Sequence, residues 1–537
     1  MGLLIFNRNR IFSKGGNKMK RKQLWFICIL FIAIGLLVGC TGEKNGEAGK
    51  TEEGNEDNRT LTIALGTDMV SFDVHNHNNT STEAIHINMF NYLVKRNNET
   101  GEMEPDLAES YENIDDLTWE FKLKDGVTFH NGDALTSADV KYSLERVATD
   151  TTLLDHANYK TIKEVEVIDD TTFRIHTHEP DPALLNRISR IGSSILPANY
   201  IEENGFDHFL ANPIGTGPFE FVEWVRDDRI VLKTYGDYFD EKNEEWDEIV
   251  YRIIPENSTR VSELLTGGVD MAVNIPPSDW VRVNENEGTY LTQGISNRTL
   301  MIFLRSTEGY PTEDRRVREA LDLAIDNQAI VDNILGGAGT PTITRVGPGD
   351  VGHAEHLYNT YNYDPERAKE LLAEAGFKDG FEMTLHSPRG RYLQDAEIAE
   401  MVAGMLAEIG VTINIEFMEW SNYLELRNAG ENKDAYLLGL GNSMFDAANA
   451  LDYYRYDRFI GQLDYRNDEV EELLAAAEQN MDAEERNEQY IKIQELLAED
   501  VAHLVLHQES INIGVVDHID YKPTMDEMIY IDSITRK

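Results

Sequence analysis

The chain has 537 residues, 96 of them acidic and 49 basic, with a formal net charge of −47 and 41% apolar residues. That length exceeds what one hydrophobic core serves and implies two or three domains, while the apolar content excludes global disorder. The acidic excess excludes nucleic acid as a partner, since phosphate binding needs a basic face, and it suits a saline or alkaline habitat where salt screens self-repulsion.

Both cysteines, Cys28 and Cys40, lie in the first 40 residues, which leaves no disulfide framework or thiolate cluster for the remainder. Lys18, Lys20, Arg21 and Lys22 precede the apolar run Leu24–Val38. The run is shorter than the ~20 residues of a membrane-spanning helix and predicts a secretory signal over residues 1–39. Met19 is the alternative start, and a short membrane anchor is the competing reading. Leu37-Val38-Gly39-Cys40 is similar to a bacterial lipobox, which implies lipidation of the Cys40 thiol. Thr41–Asn58, rich in Gly, Glu and Asn, completes a flexible acidic linker over 40–58 that would hold a soluble body beside a membrane.

In the body, Leu61, Ile63 and Leu65 alternate as a strand, and a helix is expected over Ala84–Leu93. The turn-rich segment between them carries His75 and His77. They are placed to share an ion, but without a third ligand in the sequence the preferred reading is solvated loop histidines; His75 also stands in a loop that can face a ligand. Asp125-Gly126 predicts a hairpin between Trp119–Leu123 and Val127–His130, and Thr136-Ser137 starts a helix with Val140, Leu144 and Val147 inward. A hairpin follows around Asp169-Asp170, then a helix over Pro182–Ile191. In Asn212–Tyr235, Gly215, Gly217 and Pro218 make a tight bend into a third hairpin, with Phe219, Phe221 and Trp224 on period two with one slip.

Trp246–Ile254, Val269–Val273 and Arg298–Leu304 read as strands, with a helix over Ser258–Leu265. Helices follow over Asp314–Ile325, over Asn327–Leu335 with Asp326 as cap, and from Asp364-Pro365. Met383–His386, Asp395–Ile409 and Val411–Phe417 form a strand–helix–strand unit, hence parallel strands with a right-handed crossover. Helices Asp468–Ala477 and Glu484–Leu497 precede the strands Leu504–Leu506 and Ile511–Val516.

There is no P-loop, HExxH, GxSxG elbow, paired CxxC or strand-borne GxGxxG in the chain. Instead, NPIGTGPFEF resembles the P-x-G-T-G-P-[FY] signature of the peptide/nickel class of solute-binding proteins, the family 5 receptors of ABC importers. Residues 105–147, the helix–GxxD–strand pattern from Leu264 to Asp270, and residues 315–342 match the same family. The fold implied is α/β, of the periplasmic-binding-protein type (class II-like, cluster C), with two lobes and a hinge. Lobe 1 would cover 59–295 with an extra subdomain inserted at about 84–200, lobe 2 would cover 296–507, and 508–537 would return to lobe 1.

The resemblance further implies a monomeric, lipid-anchored receptor outside the cell or in the periplasm. It would capture di- or oligopeptides, glutathione included, and deliver them to a permease pair with its ATPases. No cofactor and no catalysis are expected. A receptor for a nickel chelate or an oligosaccharide, and a secreted hydrolase, are the alternatives.

A zwitterionic peptide needs an anion for its ammonium and an arginine for its carboxylate. The family pattern places the anion at Asp446 in the loop Gly439–Leu451, which also carries Asn442 and Phe445. Ala447 stands where the family has proline, and a mere helix cap is the other reading of Asp446. Arg389, Arg391 and Tyr392 follow the carboxyl end of a parallel strand, where ligands sit in open α/β sheets. Arg389 is similar to the carboxylate-binding arginine of dipeptide receptors, and Arg391-Tyr392 to a pair found in other branches; a salt-bridge role is the alternative for either. Trp420 and Phe445 are expected to line a side-chain pocket, with a core or hinge role the other reading of Trp420. Arg305 replaces a small polar residue of the family, and Tyr453, Tyr454 and Tyr456 offer stacking surfaces for a sugar.

Overall fold

Two long strands organise the body: Thr289–Leu304, of 16 residues, and Leu504–Val516, of 13 residues. They run antiparallel, with register shifts between Ile295 and Thr299 and between Leu300 and Met301. At about 3.3 Å per residue such strands reach through more than one core. Leu300–Leu304 and Leu504–Leu506 belong to one apolar core, whereas Ile513, Val515 and Val516 belong to another. The structure, a computed structural model, describes residues 59–241, 244–456 and 462–537. The expected signal, Cys40 and the linker lie outside the described residues.

The two long strands sit inside an 11-stranded sheet. Its order from one edge is Val411–Met418, Phe381–Pro388, Ala435–Leu440, the two long strands, Met271–Ala272, Thr60–Leu65, Glu248–Ile253, Arg229–Thr234 and Phe219–Val225, with Gly339–Pro341 paired off this path to Leu504–Val516. Phe381–Pro388 and Val411–Met418 are parallel with helix Asp395–Glu408 between them in the chain, as expected of a strand–helix–strand unit. The expected caps also form: Asp314, Asp326 and Asp364 accept from the backbone N–H groups of Arg316, Ala329 and Arg367. Leu504–Val516 is one strand where two were expected. His507, Gln508 and Glu509 interrupt its apolar pattern, yet all three are buried.

A third core, between Leu93 and Ile195, covers a four-stranded antiparallel sheet ordered Ala108–Asp115, Thr118–Leu123, Thr172–Thr177, Ile162–Val167. The hairpin expected at Asp125-Gly126 does not form. Both edges of Thr118–Leu123 are already paired, so residues 127–130 pack as a loop with Val127 and Phe129 buried. A fourth core joins helices Asp468–Ala477 and Ala483–Glu499 to the segment around Met444–Tyr454. The helix expected over Ala84–Leu93 instead spans Thr80–His86, because Asn79 caps it by accepting from Thr82 N–H at 3.0 Å. Pro182–Ile191 yields only the single turn Leu184–Arg187.

The hairpin Phe219–Val225/Arg229–Thr234 carries its bulge between Phe221 and Glu223, which accounts for the slip in the aromatic period. Gly215 and Gly217 serve close approach, not a left-handed turn. A Cβ on Gly215 would lie 2.1 Å from the Met89 carbonyl oxygen, and one on Gly217 would lie 2.5 Å from the Met89 carbonyl carbon. These glycines pin the hairpin to the segment that follows the first helix, which lines a cavity beside the site below.

Candidate functional site

A cleft of about 440 Å³ lies between elements of different cores. Asn79, Thr80, Glu83 and Arg190 line one side; Arg298, Arg391, Tyr392, Trp420 and Tyr453 line the other. A neighbouring cavity of about 320 Å³ shares Glu83, Arg190 and Asp526 with it, and a smaller one of about 100 Å³ shares Arg298, Arg391 and Tyr392. The two sides touch. Arg298 donates to Thr80 Oγ1 at 2.8 Å, Asn186 donates to the Met444 carbonyl at 2.9 Å, and the Arg96 guanidinium lies 3.7 Å from the Phe445 ring centroid.

Two guanidinium groups dominate the second side, and their circumstances differ. Arg298 is buried in the long strand and donates to Glu527 at 2.9 and 2.7 Å and to the Gly439 carbonyl at 3.0 Å. Burial works against its charge, but Glu527, Tyr392 and Glu509 together outweigh that and raise its pKa; at Glu527 burial is outweighed by Arg298 with Ser296 and Arg391, and the pKa is lowered. Glu509, 3.6 Å from Arg298, is pushed up to about 7 by burial, so it retains a proton through much of the neutral range.

Arg391 has no such partner. Its Nε is buried without a hydrogen bond, and among the described residues no carboxylate pairs with it. The guanidinium lies 5.0 Å from the Tyr392 ring and 5.2 Å from the Trp420 ring, within reach of cation–π attraction. Burial and the adjacent Arg298 lower its pKa, and the more distant pull of Tyr392, Glu527 and Glu509 offsets this only in part. Its orientation is fixed locally. The Asp395 carboxylate accepts from the backbone N–H groups of Gly390, Arg391 and Tyr392 at 2.9, 2.8 and 3.1 Å, which curls the loop at the strand's carboxyl end. Beside it the Trp420 Nε1–H is buried without a partner, its ring stacked on Tyr423. A carboxylate set against Arg391 would meet an unmatched cation and an unmatched donor in a water-poor wall.

Across the cleft two carboxyl groups stand near Arg190. Glu83 is buried, its Oε1 has no hydrogen-bond partner, and burial pushes its pKa up to about 8. Asp526 is likewise raised by burial. An ammonium group entering here would restore the ionised forms.

The residues singled out from the sequence thus separate. Arg391, Tyr392 and Trp420 come together on the cleft, and Tyr392 donates to the Gly439 carbonyl at 3.2 Å. Phe445 lines the neighbouring cavity under Arg96. Asn442 is buried behind the wall, its carbonyl accepting from Asn297 at 2.8 Å. Arg389 corrects the expectation: it is exposed and lies over Phe417 at 4.3 Å, outside the three cavities. Asp446 lines none of them either. Its carboxylate is held by both terminal nitrogens of Arg486 at 2.9 and 2.6 Å, and it caps the helix Ala447–Leu451 through Ala448 N–H.

His75 and His77 are not solvated, being 0% and 2% exposed. His75 contacts Arg146 at 2.7 Å, and burial drives its pKa down to about 3. Arg305 is tied to Asp464 and the Asn432 carbonyl, away from the cleft. Of the three tyrosines, Tyr453 reaches the cleft, Tyr454 sits in the fourth core and Tyr456 is exposed. Arg298, Glu509, Glu527 and Glu83 were missed. The available signal was a charged residue inside an otherwise apolar strand, visible at Arg298 and Glu509.

The family model described as bacterial extracellular solute-binding proteins, family 5 matches residues 102–462. Among curated proteins, the glutathione-binding protein GsiB of Salmonella paratyphi A is 28% identical over 451 residues, covering 82% of this chain and 87% of that protein. Among solved structures, the periplasmic binding protein DppA of Helicobacter pylori, in complex with the peptide STSA, aligns with a TM-score of 0.80 at 25% identity, covering 89% of this chain and 98% of that one. AgaA of A. tumefaciens R10, in complex with agropinic acid, gives a TM-score of 0.80 at 25% identity over 89% of this chain and 99% of that one.

Proposed function

This chain belongs to the bacterial extracellular solute-binding proteins of family 5, and on that premise we propose that it captures small peptides for an ABC importer. The observation that carries the reading is Arg391, a half-buried guanidinium on the cleft whose Nε is buried without a hydrogen bond and which has ring contacts but, among the described residues, no salt bridge. A peptide's terminal carboxylate supplies that partner, with Trp420 Nε1–H as a second donor. Its ammonium faces Glu83 and Asp526 across the cleft, in place of Asp446.

Glutathione fits the charge pattern, with two carboxylates and one ammonium, and it is what the GsiB relative's name says that protein binds. Capture is by closure of the two sides over the ligand, the long strands serving as hinge. The solute leaves unaltered. In this reading Cys40 carries the lipid, residues 41–58 tether a monomeric receptor at the outer face of the membrane, and the closed form docks on a permease pair powered by ATPases.

Isothermal titration calorimetry with di-, tri- and tetrapeptides and glutathione, followed by recovery of the ligand, tests the proposal. Saturable one-to-one binding and unchanged ligand are expected. Binding that ignores removal of the ligand's carboxylate, or recovery of hydrolysed peptide, overturns it.

A further inference from the structure

We propose that His77, Glu83 and His86 form a site for a divalent transition-metal ion of the zinc, cobalt or nickel type in the wall of the cleft. His77 comes from the loop before the first helix. Glu83 and His86 lie three residues apart in the helix Thr80–His86 and so share a face. The three are 2%, 5% and 0% exposed, and one ligand atom from each lies within 4.8 Å of the others. His77 Nε2 and His86 Nδ1 are 3.2 Å apart. Two nitrogens bound to a tetrahedral zinc at about 2.0–2.1 Å lie roughly 3.3 Å from one another. The histidine pair is thus already at the spacing an ion requires.

A hydrogen bond between the two rings also fits that distance, and one observation favours the ion. Glu83 Oε1 is buried with no hydrogen-bond partner, and a proton shared between the histidines does nothing for it, whereas a cation beside them does. At His77, Nδ1 accepts a long 3.4 Å bond from Asn79 N–H. Loading moves the ring proton to Nδ1 and releases that contact. The carboxyl groups of Asp155 and Asp526 act on Glu83 from nearby, with Arg190 opposing them. Three protein ligands leave a coordination position open. Glu83 is the member of the trio that lines the cleft, so the open position serves a donor atom of a bound solute, and with the ion in place a ligand's ammonium is left to Asp526 alone.

The test uses the purified full chain, stripped with EDTA and dialysed against Zn²⁺ or Co²⁺. One equivalent of metal per chain is expected, with Co²⁺ giving the visible absorption of a four- or five-coordinate ion. Losing even an outer-shell partner costs 10–100-fold in affinity, so His77→Gln and His86→Gln should each cost about 100-fold or more. His356→Gln, at an exposed histidine paired with Glu495, should bind as the wild type does. Thermal melts in EDTA control for folding: the variants should match the wild type there, and added Zn²⁺ should raise only the wild type and His356→Gln. Where a histidine variant does not fold, Glu83→Gln takes its place, with the same loss expected. The absence of stoichiometric uptake by the wild type overturns the site, as does uptake that survives these substitutions. Peptide affinity measured in EDTA is unaffected by that failure, so the two readings are judged separately.

Discussion

Replacing Arg391 by methionine should separate binding from stability. In the unliganded protein its guanidinium has ring contacts at 5.0 and 5.2 Å, a like-charged neighbour in Arg298 and no carboxylate of its own. Exchanging a half-buried cation that makes no salt bridge for an apolar side chain of similar length should leave stability unchanged or raise it by up to about 2 kcal/mol. Binding should suffer the opposite fate. The ligand carboxylate loses its charge-assisted partner while still being desolvated, at about 2–4 kcal/mol, which is roughly a 30- to 1000-fold rise in Kd. Lysine should recover only part of the loss, because a point charge lacks the planar fork.

Calorimetry with a free and a C-terminally amidated peptide completes the cycle. Wild type should prefer the free acid by the same factor, and the methionine variant should scarcely distinguish the two. Arg298→Met is the contrast. It strips the partner from Glu527 and should cost about 3 kcal/mol of stability. Undiminished discrimination in Arg391→Met, or a melting temperature lower by more than about 4 °C, would refute the assignment.

Asp446→Asn should behave in the reverse way. Leaving Arg486 buried and unpaired is expected to lower stability by about 3–5 kcal/mol in urea melts, with peptide affinity of the folded fraction nearly unchanged; lost affinity at full stability would return Asp446 to the ligand. Glu509 holds its proton to about pH 7 in the fold, against 4.5 ordinarily, so the unfolded chain ionises first and wild-type stability should fall between those values. The fall is at most about 3 kcal/mol. Glu509→Gln should flatten that segment of a stability–pH curve, and an unchanged slope would place the titration elsewhere. The ionised Glu509 also competes for Arg298 and Arg391, so affinity for an anionic peptide should weaken as pH rises through about 7 and should not in the glutamine variant. With a net charge of −47, the urea midpoint should rise between low and multimolar KCl; no rise would remove self-repulsion as a significant burden.

Much of the fold was legible because its elements announce themselves locally. Asp314, Asp326 and Asp364 cap the helices they precede, and the apolar period of residues 381–417 yields the parallel pair with its crossing helix. Long-range facts were less accessible. Asp125-Gly126 is a sound hairpin signal, but the strand before it already pairs with Ala108–Asp115 on one side and with the distant Thr172–Thr177 on the other, and only the assembled sheet reveals that. The loop histidines were misjudged for the same reason. Polar residues in a turn-rich segment are ordinarily solvated, and nothing in their spacing tells that Phe72 stacks on His86 at 5.6 Å and that the loop is roofed over.

The choice between Arg389 and Arg391 shows where a motif stops and geometry begins. Both follow Pro388 at the end of a parallel strand, and a two-residue difference decides which cation meets the cleft. The deciding group is Asp395, whose carboxylate gathers three successive backbone N–H groups and curls residues 390–392 inward, leaving Arg389 outside the curl over Phe417. That curl alone would produce a cation on a wall. It becomes part of a site because the two long strands bring charges of their own to the point where they pass between cores: Arg298 from one, Glu509 from the other. Arg298 also reaches Thr80 on the facing side. A rotation that parts the two sides must break that bond and alter the field at Arg391 in the same movement. In the proposed capture, closure and carboxylate binding would therefore be coupled through one guanidinium, with no separate switch required.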